Sequence, residues 1–597
     1  MTSSSRILSR RDLDFMLYEW LDVERLTRAP RYAEHSREVF DSVLDLLEEI
    51  AEEHFAPINR LLDENEPTFD GVEVSQPAEA KAALEVFARS GLVSSGMDAE
   101  IGGGQLPHVV QRAGFAWLQA ANCSLAAYPM LSMANASALA AHGTPEQVER
   151  FVVPQAEGRF TGTMCLSEPQ AGSSLADIVT RAVPATDGTY RLFGNKMWIS
   201  AGEHSMSENI VHLVLAREAG GPAGVKGLSL FIVPKFLVED DGSVGARNDV
   251  VLAGLNHKMG YRGTVNTFLN FGEGVHPVDG EPGAVGYRVG KSFHGLAYMF
   301  HMMNEARIGV GAGAVALGYT GYLHALDYAR TRAQGRLVSD KDPESPQVTI
   351  DRHPDVKRML VSSKAVVEGG MGLILYSSLL LDESTTASTE DERAEALLLL
   401  GVLTPIAKAW PSTWCLRADD WALQIHGGYG YTREYPVEQF YRDNRLNPIH
   451  EGTDGIQAVD LIGRKLRMDD GAGLTLLESR IRATVESAPD SLAEEAAEIR
   501  RWMERAFSAT RALWAGSDPE LALANATRHA DALGHVVVAW MWLEQLIACD
   551  GRDAPFYEGK RVAGRYFIGH MLPDIGPALD LIEARDRMLL DIDPNLL

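Results

Sequence analysis

From Asp12 to about Phe160 the apolar residues recur every three and four positions, as in "VFDSVLDLLEEIAEEHF" and "AAYPMLSMANASALAAHG", a period that predicts helices. Between about Thr161 and Pro277 the texture changes. Short segments rich in β-branched and aromatic residues, "TYRLFGNKMWIS", "NIVHLVLA", "GLSLFIVP" and "TVNTFLNF", alternate with Gly, Pro and acidic turns and predict strands. Helical spacing resumes past the joint "VDGEPGAVGYRVG" and continues to about Arg467; after "MDDGAG" a further group of helices reaches the C-terminus. The expected organisation is mainly α with an inserted β domain: helical residues 1–160, β residues 161–280, a helical bundle over 281–467 and an additional helical domain over 468–597.

At about 150 residues per domain, the 597-residue chain has room for about four such units. Its 82 acidic and 55 basic residues leave a formal charge of −27, which argues against extended nucleic-acid or anionic-membrane binding. Cys123, Cys165, Cys415 and Cys549 lie far apart with no CxxC pair, so neither a zinc site nor a disulfide framework is expected, and a reducing, cytoplasmic compartment fits. The opening "MTSSSRILSRRDLDFMLYEW" lacks the apolar core of a signal peptide. The runs "MGLILYSSLLL" and "ALLLLGVLTPIA" fall short of the roughly 20 residues that span a bilayer and read as buried helices.

Several motifs carry candidate chemistry. "GVGAGA" (Gly309 to Ala314) fits a dinucleotide fingerprint, but "YMFHMMNEARI" before it reads as helix rather than strand, so these small residues are expected to let two bundle helices approach. In "MCLSEPQAGSSLADI" the hydroxyls of Ser167, Ser173 and Ser174 flank Pro169 and Gly172; turn chemistry accounts for them, and such a loop can also offer donors to a polar ligand. "NKMWISAG" places Trp198 two residues before Ser200, on one face of a strand. A single strand Trp ordinarily belongs to a core; the alternative is an aromatic plane facing a flat ligand. His426 and His450 have no partner at metal-ligand spacing and read as structural. Arg307, within the apolar "MNEARIGVGAG", needs an internal ion pair or an anionic ligand. Glu451 stands isolated in "NPIHEGTDGIQ", where Gly452 and Gly455 free the backbone around one carboxylate.

Taken in order, "MCLSEPQAGS", "NKMWIS", "HKMGYRGT", "YARTRAQGR", "LQIHGGYGYTREYPVE" and "IHEGTDGIQ" resemble the acyl-CoA dehydrogenases over about residues 40 to 467. The N-terminal extension and fourth domain resemble the larger bacterial subgroup that includes 3-methylmercaptopropionyl-CoA dehydrogenases. The resemblance implies a helical bundle, β-barrel, helical bundle fold with an added C-terminal helical domain. It implies FAD between the β domain and the second bundle, in a homo-oligomer whose extended members favour a dimer. Leu166, Ser167, Ser173, Trp198 and Ser200 would line the flavin, with Ser173 also near the substrate's pantetheine arm. Arg332, Gln424 and Gly428 would hold the pyrophosphate and adenosine of a partner's flavin, with Thr453 and Gln457 following the catalytic turn. Tyr128, Met130 and Met303 would approach the acyl chain, and Gly452 the thioester.

By the same resemblance Glu451 is the base that removes the α-hydrogen of a saturated acyl-CoA, the β-hydrogen leaving as hydride to flavin N5 and electrons passing to an electron-transfer flavoprotein. Some relatives carry the base immediately before the counterpart of Arg307; here that residue is Ala306, and Glu305 lies about 100° further round the helix. Arg307 would then orient or charge-balance the catalytic loop. The chain departs from the family where the Asp expected after "AGS" is Ser174 and where the aromatic before the base is His450. Two other readings stay open on this fold: an alkylation-response-like flavoprotein that contacts DNA, and a flavin oxidase or monooxygenase.

Overall fold

The computed structural model describes residues 5–514, 516 and 518–597, so the first four residues of the N-terminal extension lie outside the described residues. Two compact units emerge, each assembled from separated stretches of chain. One comprises residues 45–106 and 121–306; the other comprises residues up to 44, then 107–120 and 307–597.

The first unit is built on eight strands: β1 (Phe160–Cys165), β2 (Arg181–Pro184), β3 (Tyr190–Ser200), β4 (Asn209–Glu218), β5 (Leu228–Pro234), β6 (Val250–Leu255), β7 (Asn266–Phe271) and β8 (Ala284–Val289). They pair in the order β6-β7-β3-β8-β5-β4-β1, and β2 bonds to both β3 and β4. That double pairing closes β3, β8, β5, β4 and β2 into a ring, the barrel expected of this segment. β5 is buried along its whole length and β4 along most of it, which is why "NIVHLVLA" and "GLSLFIVP" read as continuous apolar runs rather than alternating ones. The largely buried helix Cys123–His142 lies on β1, where Asn135 Nδ2 donates to the carbonyls of Thr163 and Val211 at 2.9 and 3.0 Å. A Cβ at Gly162 would come within 2.5 Å of the Asn135 side chain, so the close approach requires glycine.

The second unit is helical. Its main elements are the Arg307–Thr331 portion of α1 (Gly295–Thr331), α2 (Pro354–Thr386), α3 (Glu390–His426), α4 (Val437–Asn444), α5 (Asp454–Gly463), α6 (Ala472–Ser487), α7 (Ala493–Leu513), α8 (Ala526–Ala548) and α9 (Pro555–Tyr566). The two apolar runs lie inside α2 and α3, which are long enough to cross a membrane yet mostly buried in the core, as the sequence pattern predicts. Gly311 of "GVGAGA" faces α3 so closely that a Cβ would meet the Ala407 carbonyl at 1.9 Å; its smallness serves helix packing. Asp382 of α2 accepts from the Tyr32 hydroxyl at 2.7 Å and from the His108 and Val109 amides at 2.8 and 3.0 Å, capping the helix His108–Ala121 from a distant segment. Lys560 of α9, fully buried, is paired with Asp12 and with Glu368 of α2 at 3.1 Å and donates to Gln545 of α8 at 2.9 Å, while Tyr319 of α1 donates to Asp12 at 3.0 Å.

Candidate active site

In the helical unit α4 ends at Asn444, and the chain descends through a series of turns, with Asn447 N donating to Asn444 O at 3.0 Å and Ile449 N to Leu446 O at 2.8 Å. It then reverses at Glu451 (φ +53°) and Gly452 (φ +89°), both left-handed, before Thr453 caps α5 by accepting from the Ile456 amide. A left-handed backbone is uncommon for glutamate and persists only where neighbours impose it. Gln457, itself buried, imposes it by donating to the Glu451 carbonyl at 2.9 Å, and a Cβ at Gly452 would press to 2.7 Å from that same amide nitrogen. The local folding role of Gly452, Thr453 and Gln457 is therefore to present Glu451.

Enclosure among protein atoms raises the Glu451 carboxyl to about 7, against the opposing pull of Arg307 first and Lys408 second. Those cations do not cancel the effect because each already serves an aspartate of α5. Arg307, almost fully buried, lies 3.0 Å from Asp460, which also holds Arg464; this is the internal ion pair anticipated for it. Lys408, fully buried on α3, lies 3.2 Å from Asp454, whose other oxygen accepts from Thr413 at 2.8 Å. Lys408 was not singled out in the sequence, though a lysine inside the apolar "LTPIAKAW" gives the same signal as Arg307. His450 bonds through Nε2 to Asn447 Oδ1 at 3.0 Å and is driven down to about 3 by burial and by Lys408, so the ring is neutral.

A second group in this unit lines a cavity of about 500 Å³ that includes Tyr328, Arg332, His426, Gly428 and Tyr429. His426 is a structural histidine: its Nδ1 bonds to the Ala422 carbonyl at 2.8 Å and its ring stacks on Tyr328 at 4.3 Å. Arg332, Gln424 and Gly428 are exposed, leaving a guanidinium, aromatic planes and bare main chain at the surface.

In the barrel unit the Leu166–Thr180 loop hangs on one buried carboxylate. Glu168 accepts from Lys196 Nζ at 3.0 Å, from the Val179 and Thr180 amides at 2.8 and 3.0 Å, and from Gln170 at 2.7 Å. Burial alone would raise it, but Lys196 and these donors hold it below the ordinary carboxylate range. Lys196 also donates to the Leu166 carbonyl at 2.8 Å and the Met197 amide to that of Ser167 at 2.9 Å, fixing the main chain of both residues. Ser173 and Ser174 are exposed, and Ser174 donates to Asp177 at 2.7 Å as a turn residue does.

Trp198 corrects its core reading. β3 and β7 shift register between Thr267 and Leu269, Trp198 adopts φ +64°, and 58% of its surface is exposed. A bulged strand has turned a bulky aromatic outward into a backbone region it avoids, a placement that suits a flat ligand. Ser200, on the same more open side, accepts from Asn266 at 3.2 Å. Tyr128 is buried, with its hydroxyl accepting from the Val265 amide at 2.9 Å, while Met130 and Met303 are partly exposed on their helices. Glu305 is engaged by Ser137 at 2.8 Å and His301 at 3.8 Å.

Comparison with known proteins gives consecutive matches along the chain. Residues 38–159, 163–272 and 294–466 match the N-terminal, middle and C-terminal domains of acyl-CoA dehydrogenase, and 477–593 an acetyl-CoA dehydrogenase C-terminal-like domain. The chain is 35% identical to 3-methylmercaptopropionyl-CoA dehydrogenase of Ruegeria pomeroyi, over 93% of this chain and 94% of that one. It is 32% identical to the broad-specificity linear acyl-CoA dehydrogenase FadE5 of Mycobacterium tuberculosis, over 98% of both. The fold superposes on an acyl-CoA dehydrogenase of Bacillus anthracis complexed with FAD, with a TM-score of 0.75 and 19% identity over 95% of this chain and 94% of that one.

Proposed function

This chain belongs to the acyl-CoA dehydrogenase family, FAD-dependent oxidoreductases acting on acyl-CoA thioesters, and on that premise we propose that it converts a saturated acyl-CoA to the 2,3-enoyl-CoA with Glu451 as the base. The observation that carries this reading is the Glu451 turn. An isolated carboxyl held on a left-handed peptide, with a proton affinity near neutrality, is what abstraction of a weakly acidic α-hydrogen requires. The Glu451 peptide N–H, freed by the same turn, donates to the thioester carbonyl where enolate charge develops. Arg307 and Lys408 both pull the carboxyl toward acidity, but each is tied to an aspartate of α5, so burial prevails and the carboxyl keeps its basicity.

The residues present fit FAD: an outward Trp198 beside Ser200 and the pinned Leu166–Ser167 main chain suit the ring system, and Arg332 with Gly428 suits an anionic diphosphate. When bound, the flavin supplies the acceptor for the β-hydrogen, taken as hydride at N5. Arg332, Gln424 and Gly428 face a neighbouring subunit's cofactor, which makes the working enzyme a homo-oligomer, and an electron-transfer flavoprotein removes the electrons. Ser173, Gly452, Met130 and Met303 remain the substrate-contact candidates, whereas the Tyr128 side chain, fully buried with its hydroxyl taken by Val265, supports that wall from behind.

Anaerobic mixing of the yellow holoenzyme with saturated acyl-CoAs of graded length tests this. Bleaching is expected with the chain length that fits, and Glu451→Gln is expected to retain flavin while losing roughly 10²–10⁴-fold in bleaching rate. Unaltered bleaching in that variant would overturn the base assignment.

A further inference from the structure

Four polar side chains form a row of hydrogen bonds that ends beside Glu451. His450 Nε2 meets Asn447 Oδ1 at 3.0 Å, Asn447 Nδ2 donates to Asn444 Oδ1 at 2.8 Å, and Asn444 Nδ2 donates to Asp419 Oδ2 at 2.7 Å and to the Ala314 carbonyl at 3.1 Å. Asn447, Asn444 and Asp419 are fully buried. The direction of the row is fixed at one end, because a main-chain carbonyl can only accept and Ala314 therefore demands the amide nitrogen of Asn444. Asn444 then offers its oxygen to Asn447, Asn447 turns its own oxygen to the ring, and His450 must carry its hydrogen on Nε2. At the far end Asp419 lies against Gly321, where a Cβ would come within 2.2 Å of its Oδ1. Burial keeps this carboxyl well above the ordinary range, with Asn444 opposing and Asp443 adding to it.

The residue that follows His450 lies in the left-handed region. Gln457 holds it from its carbonyl side, and the row holds the residue before it. The geometry points to His450, Asn447, Asn444 and Asp419 as positioning residues for proton abstraction, locking one imidazole tautomer and with it the left-handed turn that aims the Glu451 carboxylate and N–H at a single substrate carbon. The inference rests on the reading of Glu451 as the base. Arg307 and Lys408 act on that base through charge; the row acts on it through geometry.

Asn447→Leu removes both hydrogen bonds at nearly equal volume. Its limiting rate of anaerobic flavin bleaching is expected to fall about tenfold or more, with affinity for the enoyl-CoA product changed less than about threefold. His450→Phe should lose a similar factor, and the double variant should be no slower than His450→Phe alone, since Asn447 works through the ring. Independently of turnover, nitrogen-15 spectra of the His450 ring, assigned by their loss in His450→Phe, should show the neutral Nε2–H form in the parent and a mixture of tautomers in Asn447→Leu. Losses that multiply in the double variant, or a parent ring protonated on Nδ1, overturn the proposal. Glu451→Gln separates the two claims: bleaching retained there defeats the base assignment, whereas parent-like bleaching in Asn447→Leu beside an inactive Glu451→Gln defeats the positioning row alone. Should Asn447→Leu not retain flavin, Asn447→Ser carries the same comparison.

Discussion

Glu451 is surrounded by cations that are already engaged, and this decides how its activity follows pH. Its carboxyl is raised to about 7, the enclosure outweighing Arg307 and Lys408. As the proposed base, Glu451 must be ionised to accept the α-hydrogen, so kcat/KM for flavin reduction should fall as pH drops through about 7 and level off above it; a profile already flat at pH 6 would contradict the assignment. Replacing Lys408 by Met removes one opposing charge, and the same inflection should then move upward. Glu451 and Arg307 were both legible in the sequence, one by its glycine-flanked isolation and the other as a charge in an apolar helix. Asn444 and Asn447 were not, because "RDNRLNPIH" reads as an ordinary polar turn until the fold brings Asp419 and the Ala314 carbonyl beside it.

The strands show how far periodicity reaches at the level of an element. "TYRLFGNKMWIS" predicts β3 through its β-forming residues and its alternation, and β3 is there. What alternation cannot announce is the extra residue opposite β7, since a bulge is set by the pairing partner rather than by the strand's own letters. That bulge places Trp198 at φ +64°, where a side chain is costly and glycine is not. Trp198→Gly is accordingly expected to leave the protein as stable as before or on the order of 1 kcal/mol more so in denaturant unfolding. The same variant should hold FAD more weakly in a dialysis or fluorescence titration, through loss of the aromatic plane. Unchanged flavin affinity would remove Trp198 from the cofactor site.

Across the whole molecule, the order of segments along the chain is legible and their grouping is not. Helical and β textures follow one another in sequence, yet residues 107–120 pack with residues 307–597, because partners such as Asp382 and the His108 amide are chosen by contact rather than by proximity in the chain. Lys560 is the strongest case, a fully buried cation on α9 shared by Asp12 and Glu368. Removing Lys560 leaves buried Asp12 without its paired cation while Glu368 keeps Lys364, so Lys560→Met should lower unfolding stability by about 3 kcal/mol, measurable by chemical denaturation. A loss within error would mean that the cluster is held by packing alone. The same lysine bears on how an enzyme of this size is related to its shorter cousins. A truncation after residue 467 would strip buried Asp12 of its paired cation, leaving it the Tyr319 hydroxyl, while Glu368 would keep Lys364. The N-terminal segment and α9 are thus clasped through one ion pair, and an engineer who shortens the chain at one end must repair the charge left at the other.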